Sequence, residues 1–210
     1  MQYEIKKLSP ALAEDYLDFF DNRAFSDGSP FYPCYCNAFN LSKKRMQAEL
    51  YDKTAEYGNT LEGWIRALRE SAERMVNSGE IQGYLAFDHG VAIGWCNAND
   101  RTSYYRTGEF DLHTIPEDEN IAPGLSPGKI KSIVCFEIAP EYRGKGIATQ
   151  LLQKVLADAK ADGYQYVEAY PMESVKSFSL AFTGPMSLYE KAGFEIYNRS
   201  GVTYTMRKLL

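Results

Sequence analysis

The sequence predicts an α/β (α+β) fold, a mixed and mostly antiparallel central sheet flanked by helices. Three observations carry that expectation. Residues 133–170 read as strand, glycine-rich turn, amphipathic helix and strand, a unit that lays one helix on one sheet face. Two pairs of strand patterns, at 81–97 and 194–207, are each joined by short turn chemistry and close as antiparallel hairpins. Apolar residues at helical spacing, such as Leu12, Tyr16, Phe19 and Phe20, supply amphipathic helices to cover the sheet. The 210 residues fit one domain, with a helical insertion at about 26–79.

Taken in order, Tyr3–Leu8 alternates as an edge strand, and Ser9-Pro10 opens a helix with Ser as N-cap and Pro at the first helical position. The loop Ser26-Asp27-Gly28-Ser29-Pro30 ends that helix. Residues 42–57 are charged and helical. From Thr60, Leu61, Trp64, Ile65, Leu68, Ala72, Met75 and Val76 recur on one helical face, a core stripe stopped by Asn77-Ser78-Gly79. Ile81–Phe87 and Val91–Asn97 form strands around a three-residue loop, Asp88-His89-Gly90. Residues 99–129 are rich in turn chemistry and read as surface loop or short helix. After the 133–161 stretch, Asp162-Gly163 stops the helix, and Tyr164–Tyr170 is a strand. Residues 171–184 connect with some helical character, and Pro185–Ala192 is a short helix. Phe194–Asn198 and Val202–Arg207 close as a hairpin around Ser200-Gly201.

Hydrophobic residues at 45% and charged residues at 24% predict a sizeable core. A net charge of −5 argues against nucleic acid or an anionic membrane as partner. The N-terminal residues lack a signal-peptide apolar run and no later segment reaches membrane-spanning length, so cytoplasmic residence is expected. Cys34, Cys36, Cys96 and Cys135 are too few and too irregular for a disulfide scaffold and read as free thiols. Cys34-x-Cys36 lacks a second ligand pair, with only His89 and His113 elsewhere, so no metal is expected. The stretch 31–39, FYPCYCNAF, reads either as an acceptor-pocket wall presenting Tyr32, Cys34 and Tyr35 or as a buried aromatic edge strand.

The chemistry concentrates in Arg143-Gly144-Lys145-Gly146-Ile147-Ala148, which follows the strand 133–138 and opens a helix. Free N–H groups and the positive end of the helix dipole make such a helix start an anion site. A dinucleotide fingerprint fits only in part: Thr149 stands where the third glycine belongs, although Glu168 lies at the spacing of the ribose-binding acid. The chain then ends in an antiparallel hairpin where a doubly wound fold would go on alternating strand and helix. A Walker-type loop fails because no Gly-Lys-Ser/Thr follows.

Arg143-x-x-Gly146-x-Ala148 resembles the Gln/Arg-x-x-Gly-x-Gly/Ala motif of the GNAT family of N-acetyltransferases. Downstream, Leu188-Tyr189-Glu190-Lys191-Ala192-Gly193-Phe194 is similar to that family's second signature. The resemblance covers residues 81–210, extends to the first strand and helix, and does not reach 26–79. It implies a sheet splayed at two parallel strands ending near Ile138 and Tyr170, with acetyl-CoA as cosubstrate. It gives backbone contacts to the pyrophosphate to Arg143, Gly144, Lys145, Gly146, Ala148 and Thr149. The pantetheine arm would run beside Phe136 and Ile138, with the Ile138 N–H polarising the thioester carbonyl. Tyr189 would be the general acid for the leaving thiolate. Glu137 is the leading base, with Tyr35, Asp111 and His113 weaker ones. Relatives often hold pantetheine with an Asn where this chain has Phe182-Thr183-Gly184-Pro185.

The implied function is direct transfer of an acetyl group to a primary amine, small-molecule or peptide. A homodimer is left open. Cys135 is not expected to act as a nucleophile. A non-catalytic acyl-CoA-binding protein and a nucleotide-dependent oxidoreductase stand as alternatives.

Overall fold

In chain order the computed structural model, which describes residues 2–29, 32–105, 130–173 and 182–210, begins with an edge strand, β1 (Glu4–Lys7). Ser9 makes no side-chain cap, and the chain after it winds first as a 3-10 turn, Pro10–Leu12, before α1 (Ala13–Asn22). Two short helices, α2 (Lys43–Met46) and α3 (Asp52–Glu56), are joined by a π-type turn, Gln47–Tyr51. Helix α4 (Leu61–Ser78) starts where the Thr60 side chain accepts from the Gly63 N–H at 3.0 Å and stops at Gly79, whose φ of 76° is left-handed. Strands β2 (Gly83–Asp88) and β3 (Val91–Asp100) follow. Their loop is shorter than expected: Asp88 pairs with Val91, and His89 and Gly90 turn the chain with φ of 48° and 82°. Positive φ at both loop positions is the turn whose twist matches a two-residue hairpin.

The chain continues through β4 (Ile130–Ile138), α5 (Ile147–Ala161), β5 (Tyr166–Ala169), α6 (Met186–Lys191), β6 (Glu195–Ser200) and β7 (Thr203–Leu209). Strand β5 is shorter at its start than the apolar pattern suggests. Past Gly163, at φ 78°, the Tyr164 N–H returns to the Ala159 carbonyl at 2.9 Å and so caps α5. The sheet has seven strands in the order β1-β2-β3-β4-β5-β7-β6. Among the described residues only β4 and β5 are parallel; every other neighbouring pair is antiparallel. Helices α1 and α4 cover one face, around Tyr16, Phe20, Met75 and Trp95, and α5 covers the other, around Leu151, Leu152 and Val155. Tyr16 and Trp95 meet edge to face at 4.9 Å between ring centres.

Two features of β4 position the site. Its parallel pairing with β5 runs only from Ile130 to Ile133, while the strand itself continues to Ile138, so the sheet splays there. Opposite β3, Cys135 pairs with Asn97 and Ile133 with Ala98, leaving Val134 as an extra residue. This bulge puts Val134 and Cys135, neighbours in sequence, on the same α1–α4 face. Ile133 and Phe136 pack toward α5 instead. Beyond the bulge the alternation of a strand resumes, with Glu137 on the α1–α4 side and Ile138 packed with the α5 core.

Irregular backbone between residues 34 and 41 lies over that face, and its buried peptide groups find side-chain partners. Asn97 Nδ2 donates to the Cys36 carbonyl at 3.0 Å, and Asn97 Oδ1 accepts from the Tyr104 hydroxyl at 2.7 Å. The Tyr16 hydroxyl donates to the Tyr35 carbonyl, and Asn37 Nδ2 donates to the Leu68 carbonyl at 3.2 Å. Asn97 is fully buried, so Asn97→Leu should strand a carbonyl and a hydroxyl together. The expected loss is about 1–3 kcal/mol, read as a lower urea midpoint with unchanged slope.

Candidate active site

The turn between β4 and α5 is built for an anion. Gly144 and Gly146 sit at φ 76° and 79°, and a side chain added at either would meet no atom within 4 Å. The backbone there is therefore bare and open toward solvent, as close approach of a large polyanion requires. Gly146 is the N-cap of the 15-residue α5, whose first intrahelical bond is Gln150 N–H to Gly146 O at 3.2 Å. The N–H groups of Ile147, Ala148 and Thr149 have no carbonyl one turn back to pair with. Ala148 and Thr149 are half-buried and exposed respectively, and Lys145 lies over the Tyr142 ring at 4.7 Å. Arg143 does more than lend its backbone. Its Nε donates to the Ile138 carbonyl at 3.0 Å, one Nη binds Asp27, and the other lies 3.3 Å from Glu137 Oε1.

On the opposite face of β4 lies a cavity of about 200 Å³, lined by Phe20, Phe25, Pro33, Cys34, Cys36, Ala38, Phe39, Cys135, Glu137 and Phe182. Among these, Glu137 is the one ionisable carboxylate, and its side chain is 15% exposed. Burial pushes its pKa up to about 7, outweighing the pull of Arg143 in the other direction. The thiols are held protonated. Cys34 and Cys36 are raised chiefly by their hydrogen bonds to neighbouring thiols and then by burial. Cys36 takes a left-handed φ of 52°, and its N–H donates to Cys34 Sγ at 3.3 Å. All four cysteines are free. Among the described residues no group of three or more His, Cys, Asp or Glu is placed to hold a metal.

Tyr189 is fully buried, edge-on to Phe194 at 5.3 Å, and its hydroxyl donates to the Thr183 carbonyl. Burial raises its pKa well above the ordinary phenol value, so near neutral pH it keeps its proton. The preceding residue is engaged in the same way: the Phe182 carbonyl accepts from the Phe136 N–H. Consecutive carbonyls, Phe182 and Thr183, thus occupy the β4 donor and the phenol to which the family resemblance gives roles toward the coenzyme. The Thr183 hydroxyl, also fully buried, has no hydrogen-bond partner.

The residues expected in an acceptor wall fall in different places. Cys34 lines the cavity. Tyr35 does not: its ring is buried, its hydroxyl donates to Asp21, and it serves to dock residues 34–36 on α1. The segment is irregular backbone with a 3-10 turn at Ala38–Asn40, not an edge strand. Tyr32 also lies off the cavity lining, 47% exposed and edge-on to Phe25 at 6.3 Å. Asp111 and His113 lie outside the described residues. Phe20, Phe25, Phe39, Phe182, Cys36, Cys135 and Asp27 were not anticipated. The first two fall on or just after a helical stripe that looked purely structural, and nothing local in the sequence joins them to Glu137.

Residues 45–194 match the Acetyltransferase (GNAT) family. That is more than half of the chain, which therefore belongs to the family and is an acetyltransferase; the oxidoreductase alternative falls with this result. The fold agrees. PaiA N-acetyltransferase from Thermoplasma acidophilum, solved in complex with coenzyme A, is similar at TM-score 0.52 and 19% identity over 100% of both chains. The GNAT domain of S. lividans PAT is similar at TM-score 0.54 and 14% identity, covering 99% of this chain and 90% of that one. A phosphinothricin acetyltransferase from Sinorhizobium meliloti, solved with acetyl-CoA, is similar at TM-score 0.52 and 18% identity, covering 100% of this chain and 89% of that one. No curated protein sequence matches. Among the described residues no helix is long and apolar enough to cross a membrane.

Proposed function

We propose that the chain moves an acetyl group from acetyl-CoA directly to a primary amine, with Glu137 as the general base. One observation carries this reading. The open glycine turn continues directly from the end of β4, and the apolar cavity with its single carboxylate lies against that same strand end. Donor and acceptor would then meet at Glu137 and Ile138. The residues fit the coenzyme: Gly144 and Gly146 leave bare backbone, and α5 presents unpaired N–H groups and its positive end to a diphosphate. The solved relatives that hold coenzyme A or acetyl-CoA support the same assignment.

Acetyl-CoA, when bound, supplies an electrophilic thioester carbon and a good leaving group. The chain supplies the rest. An incoming ammonium must lose a proton before its nitrogen can attack, and a carboxylate titrating near 7 accepts that proton at physiological pH without binding it too tightly to release. The Ile138 N–H is the donor assigned to the oxygen that gains charge. Tyr189, kept neutral by burial, is assigned to deliver a proton to the departing sulfur. For that, its hydroxyl must exchange the Thr183 carbonyl for the sulfur.

Arg143 sets the balance. Its guanidinium holds Asp27, Glu137 and the Ile138 carbonyl together, so the base, the strand end and the glycine turn are fixed in one arrangement. The charge it offers Glu137 is shared with Asp27, which helps keep the carboxyl near 7.

Three outcomes test the reading. The base must be ionised, so kcat/KM should rise with pH through about 7. Glu137→Gln should lower it by about 10²–10⁴ and remove that limb of the profile. Tyr189→Phe should lower kcat at least about tenfold with the Kd for acetyl-CoA unchanged, as followed by coenzyme thiol release and calorimetry. Gly146→Asp sets a carboxylate against the diphosphate at a φ that Asp tolerates better than most residues. It should weaken acetyl-CoA at least about tenfold while the circular dichroism melt stays in place. Undiminished affinity would remove the diphosphate from this turn, and tight coenzyme binding with no turnover on any amine would overturn the transfer itself.

A further inference from the structure

Resting on the transfer reading, the cavity points further, to the body of the acceptor. Its wall carries four phenylalanines, Phe20, Phe25, Phe39 and Phe182, together with Pro33 and Ala38. The sulfur atoms on it belong to thiols held neutral, Cys34, Cys36 and Cys135. Among the described residues charge enters at one place. Glu137 lines the wall, and the Arg143 guanidinium beside it is already engaged by Glu137 and by Asp27.

We infer that the acceptor is a small primary amine with one cationic end and an uncharged apolar body, a single aromatic ring or a branched alkyl group on a short tether. Size is the first argument. A cavity of about 150 Å³ holds benzene, and this one, at about 200 Å³, has room for a ring and a short tether. Charge is the second. One ammonium can meet Glu137, but a second, at the far end of a diamine or polyamine, would be desolvated among phenylalanine rings, and no other carboxylate among the described residues lines the wall to meet it. Attraction to the ring faces recovers part of that cost, and phenylalanine is a weaker partner than tryptophan. An acceptor carboxylate fares no better, since it would enter beside Glu137 while the nearby guanidinium is already shared between two acids. Free amino acids are disfavoured on that ground.

The test is a competition among amines at saturating acetyl-CoA, read as coenzyme thiol release. 2-Phenylethylamine and isoamylamine should exceed spermidine, lysine and a deoxystreptamine aminoglycoside in kcat/KM by at least about a hundredfold. Ala38→Leu narrows the cavity away from the coenzyme turn, at a residue that is only half-buried. It should raise KM for 2-phenylethylamine at least about tenfold and leave the Kd for acetyl-CoA unchanged, the second reading confirming an intact fold. Turnover on spermidine or lysine with none on the apolar amines would overturn this inference and leave acetyl transfer standing. So would an unchanged KM in Ala38→Leu. No thiol release with any amine, coenzyme being bound, would overturn the transfer reading and this inference with it.

Discussion

The architecture turns on an incomplete pairing. Strand β4 extends over nine residues, yet its parallel partner β5 meets only the first four of them. Backbone donors on the β5 side beyond Ile133 must therefore bond something other than a strand, because a buried N–H left unpaired is costly. At Phe136 that something is the Phe182 carbonyl. The bulge at Val134 then decides which side chain goes where. Were Val134 and Cys135 to alternate instead of sharing a face, period two would carry Glu137 to the α5 face and Phe136 to the cavity face. A one-residue irregularity thus separates a carboxylate facing an apolar cavity from a carboxylate buried under a helix.

That placement explains the behaviour of Glu137. It is buried deeply enough to prefer the proton, yet it stands beside a guanidinium that keeps the charged form accessible. Either influence alone would suit the proposed base role less well: burial without Arg143 would hold the proton harder, and Arg143 without burial would pull the carboxyl below the usual range. Asp27 enters as the third party, taking part of the same guanidinium from a loop far away in sequence. The long separation between Asp27 and Arg143 is closed by α1, which docks on β3 through Tyr16 and Trp95.

Local signals in the sequence reached far here. The glycine turn, the stripe of α5, the pairing of the two hairpins and the order of the family signatures all depend on residues within one or two turns of each other, and they read correctly, although both hairpin loops lie elsewhere than expected: Asp88 pairs with Val91, and Ser200 with Thr203. The acceptor side did not read in the same way. Tyr35 has the composition of a pocket residue but spends its hydroxyl on Asp21 and its carbonyl on Tyr16. The cavity draws instead on Phe20 from α1, Phe39 from a 3-10 turn and Phe182 from before α6. Such a wall has no period and no spacing. It exists only once Asn97, Asn37 and Tyr16 pin an irregular segment above the sheet, and those pins are long-range hydrogen bonds that no window of sequence contains.

The turn before α6 joins the two halves of the problem. Phe182 and Thr183 cap the Phe136 N–H and the Tyr189 hydroxyl, while the Phe182 ring stands in the cavity wall, 6.3 Å from Phe39. In the proposed reaction the pantetheine arm competes with the Phe182 carbonyl for β4, and the leaving sulfur competes with the Thr183 carbonyl for Tyr189. A shift of one short segment would exchange both sets of bonds together. Gly184, at φ 82°, sits at the hinge end of that segment, where an added Cβ would fall 2.9 Å from the Tyr189 hydroxyl. Glycine is required there both for the backbone angle and to let the chain pass over the phenol. The same segment gives the cavity one of its rings, so the position it adopts with coenzyme bound also sets the space left for the amine.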